Sequence, residues 1–168
     1  MKINYPNKKK IDNTQHSFNS RGMLFEKELN ESNKFYLIHD IATIYKKPTP
    51  IQIVKVEYPM RSKAKITEAY YQTASTTDYN GLYREKYIDY EAKQTESLSF
   101  SFKHISTHQI EHLLRIDKQG GIAFVIIYFK KIDKVYIIDI KTFNKAYIES
   151  LKGSRKSIKA LEIENMGG

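Results

Sequence analysis

The sequence predicts a single α/β domain in which a mixed central sheet is flanked by helices. Helical and strand patterns follow one another along the chain as helix, strands, helix, strands and helix, the order expected of α/β or α+β folds. Residues 122–129 are continuously apolar, which is typical of a buried strand. A chain of 168 residues without an internal repeat is long enough for one domain with a substantial core.

The composition excludes several classes of function. The chain contains no cysteine, so disulfides, thiolate chemistry and cysteine-based zinc sites are excluded. No segment approaches the ~20 apolar residues that cross a bilayer, and the polar N-terminus does not resemble a signal peptide. We therefore expect a cytoplasmic protein without a membrane partner. The formal net charge of +9 favours a polyanionic partner, although a role in solubility alone has the same composition.

The N-terminal region divides into an arm and a helix. Residues 1–19 are polar and nearly devoid of aliphatic side chains, which predicts a flexible basic arm ahead of a single domain at 20–168. The basic patch of this arm either binds phosphates or has no specific partner, and it comprises Lys8, Lys9 and Lys10. Ser20 can cap a helix over 21–39. Glu26, in the early turns of this helix, is a solvated residue, a partner of the helix dipole or a catalytic residue.

Two strands and an insertion follow the first helix. Strands are predicted over 42–45 and 52–58, separated by the turn-like segment KPTP. Residues 59–75 have only weak strand or helix periodicity, which predicts an insertion rather than a core element. Basic residues interleaved with aromatics can contact phosphates and unpaired bases, although an ordinary exposed loop has the same pattern. The residues concerned are Arg61, Lys63, Lys65, Tyr70 and Tyr71.

The segment TTDYNGLYREKYIDYEAK, residues 76–93, predicts a β-hairpin that carries a candidate active site. Residues 79–83 and 87–93 alternate as strands do, and residues 84–86 form the turn. Successive side chains of a strand point to opposite faces, so alternate residues of the second strand share a face. Asp89, Glu91 and Lys93 are predicted on one face, and Ile88, Tyr90 and Ala92 on the core-facing one.

The polar face of this hairpin has the residue types of a metal-dependent phosphodiesterase. Asp78 and Glu91, with twelve residues between them, can hold Mg²⁺ against a phosphate oxygen, with Thr76 as a neutral oxygen donor. Lys93 can stabilise the pentavalent transition state or lower the pKa of an attacking water. Salt bridging on a strand surface uses the same residue types, so the spacing alone leaves both interpretations open.

The second half of the chain predicts the remaining elements. Residues 94–106 are polar and predict an irregular segment, and a helix follows over 107–118. Residues 122–129 and 134–140 predict neighbouring strands, and residues 141–151 predict a short helix before a basic tail. These elements complete the sheet and supply helices to flank it.

The run HQIEH in the second helix allows two kinds of chemistry. His108 and His112 are four residues apart and can bind zinc, but the HExxH order of zinc proteases is absent and no third ligand is evident. Gln109 can instead direct its amide group at the carboxylates of the hairpin. The sequence therefore favours Gln109, rather than a pair of zinc-binding histidines, as a member of the site.

Several collinear motifs resemble one known family. They are SRGM at 20–23 with Glu26, LNESN at 29–33, KKPTPIQIV at 46–54, YPMRS at 58–62, TTDYNG at 76–81, DYEAK at 89–93 and HQIEH at 108–112. Together they are similar to the RecU family of Holliday junction resolvases, which are nucleases of the PD-(D/E)xK, or restriction-endonuclease-like, class. The resemblance extends over about residues 20–158 and is far more specific than the spacing of the hairpin residues alone.

The resemblance implies a fold and a set of residue roles. Residues 59–75 would form a stalk that projects from a restriction-endonuclease-like sheet and enters the centre of a DNA junction. Lys93 would be the lysine that stabilises the transition state, and Glu26 a further acidic catalytic residue beside Asp78 and Glu91. The positions matching the family's Mg²⁺ ligands, with Mn²⁺ as an alternative metal, are Thr76, Asp78, Glu91 and Gln109. The residues that would contact DNA are Lys8, Lys9, Lys10, Arg21, Arg61, Lys63, Lys65, Tyr70 and Tyr71.

The implied activity is Mg²⁺-dependent resolution of four-way junctions in homologous recombination and repair. A homodimer would make paired symmetric nicks, with branched DNA and recombination proteins as partners, and would recognise shape and phosphate charge. The sequence differs from the family pattern at two places. Gln94 follows Lys93 where members often carry an acid, and the chain ends at Gly168 where typical members continue. The alternatives are a junction-binding protein with weak or no cleavage, owing to the short C-terminus, and a nuclease that acts on ordinary duplex.

Overall fold

The computed structural model describes residues 20–60, 63–72, 76–153 and 155–166, and for residues 20–23 it describes the backbone only. Some of the predicted DNA contacts lie outside these described residues, namely Lys8, Lys9, Lys10, Arg61 and the side chain of Arg21. Among the described residues, no helix combines the length and apolar character needed to cross a membrane.

A five-stranded mixed sheet forms the centre of the described chain. The helices are α1 (Ser20–Ile38), α2 (Thr107–Lys118), α3 (Ile140–Leu151) and α4 (Ala160–Asn165). The strands are β1 (Thr43–Lys46), β2 (Ile51–Met60), β3 (Lys63–Tyr71), β4 (Tyr79–Tyr83), β5 (Lys86–Thr95), β6 (Ser99–Ser101), β7 (Ile122–Phe129), β8 (Lys134–Asp139) and β9 (Ser157–Lys159). The sheet order is β1-β4-β5-β7-β8, with β5 and β7 parallel and the other neighbours antiparallel.

Helices cover both faces of this sheet, which confirms the predicted α/β fold. On one face α1 packs on Tyr90 of β5, whose ring stacks on Tyr79 with 4.8 Å between the centroids. On the other face Leu113 of α2 and Phe143 of α3 are fully buried in the core over β7. The predicted alternation of side chains along β5 is present, but its polar face is also buried, beneath α2.

The predicted insertion at 59–75 starts earlier than expected. β2 and β3 pair with each other as an antiparallel ribbon outside the central sheet, so the insertion begins at Ile51 and includes the strand predicted over 52–58. All residues of the two strands are exposed except Val56, which is half-buried. Because neither face of the ribbon is buried, its sequence lacks the hydrophobic period that marks a strand packed on a core. The predicted start at residue 59 was wrong for this reason.

Residues 94–106 are more regular than predicted. Gln94 and Thr95 complete β5, and β6 pairs with β9 from the far end of the chain. Phe100 and Phe102 in this segment are buried in the core with α3. The segment acquires its structure from partners distant in sequence, which its polar local composition does not reveal.

Candidate active site

The hairpin of β4 and β5 places the carboxylates of Asp78 and Glu91 together. Tyr79 lies opposite Tyr90 in the antiparallel register, so Asp78, one residue before β4, lies opposite Glu91. The amide nitrogen of Asp78 donates to Glu91 Oε2 at 3.1 Å, and the amide nitrogen of Ala92 donates to Asp78 Oδ2 at 3.1 Å. Each carboxylate is therefore held by the backbone of the opposite strand.

Close packing of β1 against β4 stabilises this arrangement from the side. Gly81 of β4 approaches the backbone of Thr43 and Ile44 in β1 so closely that a Cβ atom there would clash with it. The amide nitrogen of Lys47, which follows β1, donates to the carbonyl oxygen of Asp78 at 2.8 Å. Because residue 81 is glycine, β1 can lie close enough to β4 for Lys47 to hydrogen bond to Asp78.

Lys93 and Gln109 both contact the carboxylate of Glu91. Lys93 Nζ lies 2.5 Å from Glu91 Oε1, and Gln109 Nε2 donates to the same oxygen at 2.8 Å. The side-chain oxygen of Gln109 accepts from the backbone nitrogen and the hydroxyl of Ser106, at 3.1 and 2.9 Å, and so caps α2. In this structure Gln109 presents nitrogen to the site, so its role as an oxygen ligand of a metal stays a prediction.

The carboxyl of Glu91 is in an unfavourable electrostatic environment. Its side chain has no solvent exposure, and burial together with the nearby charge of Asp78 raises its pKa to about 7. The Lys93 ammonium and the hydrogen bond from Gln109 lower this pKa, but do not offset the increase. A buried carboxyl with a raised pKa beside a second carboxylate forms a site in which a bound cation is stabilising.

We expect the stability of the metal-free protein to depend on pH through Glu91. A carboxyl with a raised pKa stabilises the folded state below its ordinary pKa of 4.5 and loses that contribution as the pH rises through about 7. The free energy of unfolding should therefore fall by roughly 3 kcal/mol across this range. Urea denaturation of wild type and Glu91→Gln without divalent cations would measure it as the difference between the two pH profiles. Parallel profiles would contradict the raised pKa.

A cavity of about 340 Å³ opens beside the two carboxylates. Asp78 and Lys93 reach its wall, and Glu91 lies behind them. Glu26 of α1 also lines this cavity, where it forms an ion pair with Lys46 at the end of β1. The other polar residues of the wall are Gln94 and His104.

Sequence reasoning missed Lys46 and His104 as members of this cavity. Lys46 is the first residue of the KKPTPIQIV motif. The motif was the one sequence signal that could have pointed to Lys46 as a site residue. His104 lies in a segment that was predicted to be irregular. Its place in the wall follows from the packing of residues 99–104 on the core.

The donor set fits a hard divalent cation such as Mg²⁺. Asp78 and Glu91 would be the two anionic ligands, and Thr76, half-buried and two residues before Asp78, is a candidate neutral oxygen ligand. No group of three or more His, Cys, Asp or Glu side chains that could hold a metal occurs in the described residues. Neutral oxygens and water would therefore complete the coordination, as is usual for Mg²⁺.

The two histidines of α2 have separate partners. His112 Nε2 lies 3.1 Å from Asp89 Oδ2, and His108 Nε2 lies 3.2 Å from the hydroxyl of Ser106. This arrangement gives no support to zinc binding by the HQIEH run.

The mixed sheet thus places two carboxylates and a lysine beside an open cavity, the arrangement expected of the predicted restriction-endonuclease-like class. The family described as Recombination protein U matches residues 20–168. Holliday junction resolvase RecU of Bacillus mycoides strain KBAB4 is 47% identical over 177 aligned positions, covering 99% of this chain and 88% of that protein. The chain belongs to the RecU family.

Further relatives give the same result. Holliday junction resolvase RecU of Bacillus cereus strain B4264 is 47% identical, and that of Bacillus thuringiensis strain Al Hakam is 46% identical, with the same coverage. The solved structure of Archaeoglobus fulgidus Hjc, a Holliday junction resolvase, aligns with 73% of this chain and 75% of its own, at a TM-score of 0.44 and 13% identity. That likeness is too distant to carry a functional argument.

Proposed function

We propose that the protein is an endonuclease that resolves four-way DNA junctions by paired symmetric nicks in homologous recombination and repair, with Mg²⁺ as its metal and Mn²⁺ as a substitute. The observation that carries this proposal is the pair of opposed carboxylates, Asp78 and Glu91, with Lys93 beside them at an open cavity. Membership of a family whose curated relatives are named Holliday junction resolvases supports the choice of substrate.

Each residue of the site has a proposed part in phosphodiester hydrolysis. Asp78 and Glu91 would hold the cation, with Thr76 and Gln109 as further ligands. When bound, a divalent cation neutralises charge on the phosphate and makes a coordinated water more acidic. The Lys93 ammonium, held by Glu91 at the cavity wall, can neutralise negative charge that develops on the phosphate oxygens.

Glu26 and Lys46 form a second charged pair at the same cavity. We propose that Lys46 exchanges its contact with Glu26 for a DNA phosphate, which frees the Glu26 carboxylate to face the reacting group. This exchange would give Glu26 its predicted part in catalysis. The half-exposed side chains of both residues allow it.

The β2–β3 ribbon is the proposed junction-recognition element. Its side chains are exposed, and Tyr70 and Tyr71 are 59% and 84% accessible. Together with Lys63 and Lys65 they could stack on unpaired bases and contact phosphates at the centre of a junction.

A two-fold homodimer would supply two related sites for two symmetric cuts. The cytoplasm is the proposed compartment, because the proposed substrate is the DNA of a bacterial family.

Cleavage of a labelled synthetic four-way junction beside a linear duplex, with and without Mg²⁺, tests this function. We expect paired nicks in the junction that require Mg²⁺, and a loss of about 10²–10³-fold in Lys93→Ala, because a positioned charge at the transition state is removed. Lys134→Ala, which breaks an exposed ion pair with Glu164 far along the chain from the site residues, is the matched control and should cut normally.

The same assay separates the alternatives. Tight junction binding without any nicks would indicate a binding protein rather than a resolvase. Equal cutting of junction and duplex would indicate a nuclease without junction preference.

A further inference from the structure

Asp89 of β5 is at the centre of a buried polar network. Its carboxylate has no solvent exposure, and Oδ1 accepts a hydrogen bond from the hydroxyl of Thr77. Its other oxygen, Oδ2, accepts from Lys47 Nζ at 2.8 Å and from the hydroxyl of Tyr87 at 3.1 Å, and contacts His112 Nε2 at 3.1 Å. Every side of this buried charge is therefore occupied by a polar partner.

Two of these partners belong to the two ends of the β2–β3 ribbon. Lys47 precedes the ribbon, Thr77 follows it, and Lys47 Nζ also donates to the Thr77 hydroxyl at 2.8 Å. A backbone hydrogen bond from Gln72 to Pro50, at 3.0 Å, closes the base of the ribbon. The outgoing and returning chains are thus joined to each other and to the strand that carries Glu91.

We expect the contacts at the base of the ribbon to determine its orientation relative to the central sheet. Both strands are exposed along the described residues except at Val56, so packing on the domain offers little restraint. Burying the Lys47–Asp89 pair carries a desolvation cost, and apolar residues of similar size often stabilise a fold equally well. A buried ion pair at this position is better explained by the geometry it imposes than by stability.

We propose that Asp89, Lys47 and Thr77 form a latch that holds the β2–β3 ribbon at a defined angle to the cleavage site and so establishes the preference for four-way junctions over duplex. These three are positioning residues, since none of them lines the cavity beside Asp78. The latch acts through the ribbon, which is the part that would contact the junction. The junction preference rests on the proposed function, whereas the latch itself is a property of the free protein.

The distance between ribbon and domain in the free protein tests the latch directly. The chain contains no cysteine, so cysteines introduced at the exposed positions Thr67 and Lys118 can carry a pair of spin labels. We expect one narrow distance distribution in otherwise wild-type protein and in the Lys134→Met control, and a broader one in Lys47→Met. A distribution that stays narrow in folded Lys47→Met would overturn the latch. This readout needs no cleavage, so it remains informative if the proposed function fails.

A second comparison covers the case in which Lys47→Met does not fold. Lys47→Met combined with Asp89→Asn leaves no unpaired buried charge and should show the same broadening. Thr77→Val removes the hydroxyl's hydrogen bonds to Asp89 and from Lys47, and should lower the ratio of junction to duplex cleavage by at least about fivefold, while Thr77→Ser should restore it. Duplex cleavage should be unchanged in all these variants. An unchanged ratio in Thr77→Val, with a narrow distance distribution in the double variant, would overturn the proposal.

Discussion

Asp78→Asn should abolish cleavage of a four-way junction and leave junction binding nearly unchanged. The amide retains the size of the side chain, and it still presents an oxygen that can accept the hydrogen bond from the Ala92 backbone. It removes one of the two negative charges that would hold the cation beside Glu91. We expect a loss in cleavage rate of at least about 10²–10³-fold, because the site loses charge stabilisation of the transition state. Binding depends on the basic surface of a chain with net charge +9, which this change leaves in place.

Cleavage and gel-shift titrations on the same labelled junction would measure both effects. Asp117→Asn is the matched control, since it makes the same chemical change at an ion pair with Lys141 on the surface of α2. The variant should also lower the pKa of Glu91, because the Asp78 charge is one cause of its increase. A folded Asp78→Asn protein that cuts at the wild-type rate would contradict the role of Asp78, and one that no longer binds junctions would contradict the separation of binding from catalysis.

The local part of this site could be predicted from the sequence because a hairpin is a local structure. Alternation along residues 87–93 identifies the faces of β5, and a short turn sets which residues of the two strands are opposite. The turn itself differs from the predicted segment 84–86. Only Arg84 and Glu85 form it, both with positive φ, and Lys86 already pairs with Tyr83. Neither residue is the glycine or asparagine that normally signals such a turn, so its length was not evident.

The non-local part could not be predicted, because it depends on which elements pack together. Burial of Asp89 and Glu91 results from α2 lying over that face of β5, and no local pattern in the hairpin indicates a covering helix. Lys46 reaches the cavity, whereas Lys47 turns to the latch, although the two are adjacent in one motif. Their separate roles follow from the alternation of side chains at the end of β1 once the sheet is assembled.

Removing the ribbon should leave a nuclease that has lost its preference for junctions. The backbone hydrogen bond between Pro50 and Gln72 shows that the two ends of the ribbon meet, so residues 51–71 can be replaced by a short Gly-Ser linker. The carboxylate pair of Asp78 and Glu91 lies outside the deleted segment. We expect the ratio of junction to duplex cleavage to fall by about ten- to a hundredfold, the loss of one stacked base or more. The measurement is competitive cleavage of a four-way junction and a linear duplex labelled with different fluorophores.

Three variants of the ribbon distinguish contact from orientation. Alanine at Lys63, Lys65, Tyr70 and Tyr71 keeps the ribbon and its latch but removes the predicted contacts of β3, so it should approach the deletion in its loss of preference. Lys47→Met keeps those contacts and releases the ribbon, so its loss should be intermediate. All three should cut duplex at the wild-type rate, since the carboxylates and Lys93 are retained. If the deletion variant cuts duplex normally and still prefers junctions, the ribbon does not recognise them, and the preference must arise in the body of the domain or in its dimer.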